Sequence, residues 1–107
     1  MARDQMFLQF GRAAARPGIR ARFEAWVSEN PHVYERFRDR TLQMVATGRK
    51  RYSARTIMEV LRWEYDLTTT GASFKIPNVF IPHLSRRFRD EYPEHDDFFI
   101  YHKELAP

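Results

Sequence analysis

Seven cations in two groups are the side chains of this sequence best placed to do chemistry. Arg49, Lys50, Arg51 and Arg55 crowd around an expected helix start, and Arg86, Arg87 and Arg89 recur along one later segment. Their chemistry is the recognition of oxyanions. A guanidinium offers a planar fork of N–H donors that matches phosphate or carboxylate, and a helix N-terminus adds free amides and the positive end of its dipole. Of the 18 Lys and Arg, fifteen are Arg. A GC-rich genome would enrich Arg everywhere, so the type of cation says less than its placement. Placement is uneven: residues 1–62 hold thirteen Lys or Arg against six Asp or Glu, whereas residues 63–107 hold five against eight. Such asymmetry bears on partners, not on fold.

Catalytic chemistry finds no foothold. His32, His83, His95 and His102 show no i, i+4 pairing and there is no cysteine, so no metal site is expected. Gly11, Gly18, Gly48 and Gly71 sit at turns and not in a phosphate-cradling loop. The close acid pairs are Glu64 with Asp66, Asp90 with Glu91, and Asp96 with Asp97. At one- or two-residue spacing they point apart on a helix, which disqualifies them as an acid–base couple. No serine stands in a nucleophile elbow. The chain reads as a binding protein without catalytic residues, cofactor or metal.

The elements that must position the cations follow from periodicity and punctuation. Ile19, Phe23, Trp26 and Val27 share one face of a helix over 19–29. Asn30 is a good cap, with Pro31 at the first position of a helix that runs to about Thr47 and stops at Gly48. Val33, Phe37, Met44 and Val45 form its stripe, flanked by Tyr34 and Leu42. The stretch 48–65 is the organising one: a glycine stop, three cations, the cap Ser53, then a helix to about Asp66. Ile57, Val60, Leu61 and Glu64 lie on one side of that helix, Met58 and Tyr65 flank them, and Trp63 adds an aromatic. Residues 68–73 form a connection, and Pro77 keeps Ile76 extended. Asn78 is expected to cap a last helix over 79–92, with Ile81, Leu84, Phe88 and Tyr92 inward and Arg86, Arg87 and Arg89 outward. Pro93 ends it. Residues 98–101 read as a short strand, which needs a partner at 74–76 or 7–10.

The fold class is therefore mainly α with a small β element, a compact helical domain resembling a winged helix-turn-helix. Residues 1–18 form a loose N-terminal arm or short helix, with Arg3, Arg12 and Arg16 available to a backbone, and residues 19–107 a single helical domain. With 107 residues and 15% aromatics, one ring-rich core is expected. The absence of cysteine, of a membrane-length apolar run and of a signal-peptide core in the first residues points to a cytoplasmic protein.

In a winged helix-turn-helix the second helix of the motif enters the major groove. On that pattern Arg49, Lys50, Arg51 and Arg55 would meet phosphates, while Arg86, Arg87 and Arg89 would face a groove of duplex DNA. The eleven-residue connection between the two helices is longer than such motifs use. The alternative is a protein partner, met by Tyr65, Tyr92, Phe98, Phe99 and Tyr101 together with the acidic turn 90–97. Against that reading, Phe98 and Phe99 are expected first to close the core.

Four blocks agree in order with a known group of sequences: GRKRYS at 48–53, RWE at 62–64, TTTGASFKIPN at 68–78 and PEHDDFF at 93–99. Over roughly residues 29–101 the chain resembles a family of small, uncharacterised proteins encoded by phages and bacterial prophages. The chain departs from the family pattern at Pro77, where the family carries Asn, while Asn78 keeps it. The resemblance brings no catalytic or binding residues. It implies a mobile-element setting, in which small basic domains regulate DNA and small interaction proteins inhibit a host defence protein.

Overall fold

The computed structural model describes residues 17–69 and 75–100. Four α-helices are present among them: α1 (Ile19–Glu29), α2 (Pro31–Val45), α3 (Ala54–Thr68) and α4 (Ile81–Glu91). Short 3-10 turns at Asn78–Phe80 and Pro93–His95 precede and follow α4. The expected arm at 1–18, apart from Pro17 and Gly18, lies outside the described residues.

The first helix matches its sequence pattern: Phe23 and Val27 are buried, with Ile19 and Trp26 packed beside them. Asn30 performs a different task from the one expected. Its side chain makes no capping bond to α2; instead Nδ2 donates to the Trp26 carbonyl at 2.9 Å and closes the end of α1. Pro31 begins α2 as expected, since its missing amide is one the helix cannot use. Val33, Tyr34, Phe37 and Thr41 are buried on α2. The Thr41 hydroxyl sits inside because it donates to the Phe37 carbonyl at 2.8 Å, leaving no unpaired group.

On α3 the buried arc comprises Ile57, Met58, Leu61 and Tyr65. This arc is rotated from the expected one toward Met58 and Tyr65. Val60 reaches solvent, and Glu64 stands at the α2 boundary, where Arg40 donates to it at 2.6 Å and Arg36 lies 3.9 Å away. Trp63 is 63% exposed and lies outside the buried arc. The approach to α4 is fixed by Arg62, which donates to the Ile76 carbonyl at 2.7 Å and to the Asn78 side chain at 2.6 Å. Asn78 is thereby occupied and caps nothing; the 3-10 turn takes up 78–80 and α4 starts at Ile81.

The core is a chain of rings. Phe23 meets Phe80 edge-on at 5.5 Å, Phe37 meets Phe99 at 5.6 Å, and Phe88 meets both Tyr92 and Phe99. Edge-to-face and offset pairs of this kind add to the stabilisation from burial alone. No strand occurs among the described residues. The small β element expected at 98–101 is therefore not formed over 98–100, and the winged-helix likeness lacks its wing there. The reason is packing. Phe98 and Phe99 both go into the core, and the Ile76 carbonyl of the expected partner segment is taken by Arg62. The segment is tied down instead by the Tyr52 amide, which donates to the Phe98 carbonyl at 3.1 Å, and by the Phe98 amide, which donates to the His95 carbonyl at 3.2 Å.

Candidate nucleic-acid interface

The loop from α2 to α3 turns at Gly48, whose φ of 90° is a conformation that costs glycine nothing and strains other residues. Beyond it Arg49, Lys50 and Arg51 are exposed. Arg49 lies over the Tyr52 ring, 5.9 Å from its centroid. Ser53 caps α3 as expected, its Oγ accepting from the Thr56 amide at 3.2 Å. Arg55 follows in the first turn, also exposed.

None of these four cations forms an ion pair among the described residues, and this separates them from most other arginines of the fold. Arg36 and Arg40 approach Glu64, Arg38 pairs with Asp39, and Arg62 pairs with Glu59. The second expected group is also largely engaged. Arg87 donates to Glu24 of α1 at 3.2 Å and lies over the Tyr34 ring of α2, so it pins α4 to both helices. Arg89 sits 3.4 Å from Asp90. Arg86, Arg87 and Arg89 do come together, around a cleft between α1 and α4 that Arg20 completes. Sequence reasoning missed Arg20 because it joins the group only when α1 lies beside α4.

The expected aromatic and acidic surface is reduced. Phe98 and Phe99 belong to the core, Tyr65 is buried, Tyr92 is half-buried, and Tyr101 lies outside the described residues. Exposed apolar side chains occur instead on α3, where Val60, Trp63 and Leu67 follow helical spacing along one stripe. No group of three or more potential metal ligands occurs among the described residues. No described helix is long and apolar enough to cross a membrane.

One engaged group has a measurable pH signature. The Tyr34 hydroxyl donates to Glu91, joining α2 to the end of α4. Burial first, then the hydrogen bond and negative charge of Glu91, push the Tyr34 phenol well above its ordinary value of 10.0. In the unfolded chain Tyr34 loses its proton near that ordinary value, whereas the folded chain retains it. The unfolded state then binds fewer protons, so stability must fall as pH rises. Urea unfolding above about pH 10 should show a loss near 1.4 kcal/mol per pH unit from this residue. Tyr34→Phe should lack that part of the slope while keeping the part due to Tyr65, whose phenol is also raised by burial. Equal slopes in the two proteins would refute the assignment.

The chain matches no protein-family model, no curated protein and no solved structure.

Proposed function

We propose that the protein binds duplex DNA through the α2–α3 loop and the start of α3, without catalysis. The observation that carries this reading is the group Arg49, Lys50, Arg51 and Arg55: four exposed cations with no acidic partner among the described residues, beside a capped helix start. Cations left uncompensated in a fold that pairs most of its other arginines suit an external polyanion. The binding is phosphate-directed and tolerant of base sequence, since backbone contacts position a protein but carry no base identity. In this reading α4 is not used as a recognition helix, because Arg87 is held by Glu24 and Tyr34. The likeness to small phage and prophage proteins suits a DNA-directed regulator of a mobile element.

Fluorescence anisotropy with a labelled duplex, repeated across salt concentrations, tests the proposal. Four phosphate contacts give a slope of log K against log salt of about −3.6, or roughly a hundredfold loss of affinity between 50 and 200 mM. Absence of binding at low salt would overturn it.

A protein-directed reading has an observation of its own, the exposed Val60, Trp63 and Leu67 stripe. Large apolar side chains aligned on one face are the usual anchor of a protein interface. A phage-encoded inhibitor of a host defence protein would then dock through α3 and not through Phe98 and Phe99.

A further inference from the structure

The cleft between α1 and α4 has a volume of about 350 Å³, and Arg20, Arg86, Arg87 and Arg89 line it with only two acids, Glu24 and Asp90. Both acids already face an arginine, Glu24 the guanidinium of Arg87 and Asp90 that of Arg89. Arg20, from the first turn of α1, forms no ion pair among the described residues. The same cleft is lined by His83, which is only 7% exposed and stacks on Phe23 at 5.2 Å. Its imidazole makes no hydrogen bond to a described residue. An imidazole N–H lining the cleft is a donor that a ligand acceptor there can use.

We propose that the α1–α4 cleft binds a phosphate group, with Arg20, Arg86 and Arg89 supplying charge-assisted donors and His83 an N–H donor at the buried wall. Arg87 bridges Glu24 and the Tyr34 ring across helices and is left out of the set; Arg89 also contacts Asp90, yet a guanidinium has five N–H donors and can serve an acid and a phosphate together. The volume lies at the small end of the range for ligand pockets and accommodates a phosphate ester better than an extended ligand. The phosphate belongs either to a small free species or to a nucleic-acid strand. The site stands independently of residues 49–55, since no residue of that group lines the cleft.

The charges facing His83 fix the spectroscopic consequence. Burial, then Arg20 and Arg86, hold its imidazole below the ordinary histidine range, while Glu24 opposes them weakly. Of the other cleft residues, Arg87, Arg89 and Asp90 come from its own helix. A bound phosphate reverses the local sign and favours the imidazolium, so the His83 titration midpoint must move upward on binding.

The test is a proton NMR titration of the histidine C–H signals, with the His83 resonance assigned by its loss in His83→Gln. Inorganic phosphate and a short DNA duplex are added separately against chloride at matched ionic strength. A saturable His83 shift with an upward midpoint is expected, and Arg20→Gln should weaken it roughly tenfold, as loss of one charge-assisted donor does. Arg20 is exposed at the start of α1, so this variant keeps the fold, which unchanged circular dichroism verifies. Saturation with inorganic phosphate identifies a free small ligand, and saturation with the duplex alone identifies a strand phosphate. A His83 response to neither, one that chloride reproduces, or one that persists undiminished in Arg20→Gln overturns the proposal.

Discussion

Replacing Phe88 with alanine is expected to remove about 3–5 kcal/mol of folding stability, the range for deleting a ring from a packed interior. Phe88 is fully buried, and its ring is shared by three parts of the molecule. It stacks on Tyr92 at 5.0 Å, meets Phe99 edge-on at 5.7 Å, and lies parallel to the His95 ring at 6.3 Å. These partners come from the end of α4, the following 3-10 turn and the last described segment. The loss therefore combines apolar transfer, a cavity, and release of residues that no strand holds in place. Against a total of about 5–15 kcal/mol for an ordinary domain, the variant stands near the limit of folding. The measurement is a urea melt: the midpoint should drop sharply with little change in slope. A loss under about 1 kcal/mol would mean that the ring chain is not the centre of the core.

The other large effect concerns binding. Charge reversal at Arg49 and Arg51 together should reduce duplex affinity by at least about sixtyfold at 0.1 M salt. Each phosphate contact contributes counterion release worth roughly eightfold at that concentration, and two are lost. The slope of log K against log salt should fall from about −3.6 to about −1.8. Stability should barely change, because both side chains are exposed and neither forms an ion pair among the described residues. A second double variant, Arg22→Glu with Arg38→Glu, alters net charge equally at positions outside the loop. If both pairs weaken binding alike, the protein responds to duplex DNA through total charge, and the loop has no special role.

The helices were legible in the sequence because they rest on local rules. Pro31, Gly48, Ser53 and Pro93 are punctuation whose effect is decided within a few residues, and each stands where that chemistry requires. What escaped was decided by neighbours distant in sequence. Val60 and Trp63 satisfy a helical stripe, yet α2 and α4 cover the arc through Met58 and Tyr65 instead. Residues 98 and 99 have strand-like composition, but the Ile76 carbonyl of the expected partner segment is taken by Arg62 and both rings go to the core. Asn78 has the chemistry of a cap and is claimed by Arg62, sixteen residues earlier. The Arg49 to Arg55 group was visible because it is contiguous. The partnership of Arg20 and His83 with Arg86 and Arg89 was not, since it exists only once α1 lies against α4.

The positions of the two tryptophans have an optical consequence. Trp63 is already largely exposed in the folded chain, so its emission changes less on unfolding than that of a packed tryptophan. Trp26 rests 5.1 Å from the Phe80 ring and loses that setting when α1 departs. Intrinsic fluorescence therefore watches one junction of the molecule, between α1 and the turn that leads into α4. Circular dichroism averages over all the helices, the four described ones included. Superposition of the two melting curves would mean that α1 leaves with the rest of the fold, and an earlier fluorescence transition would mean that it leaves first.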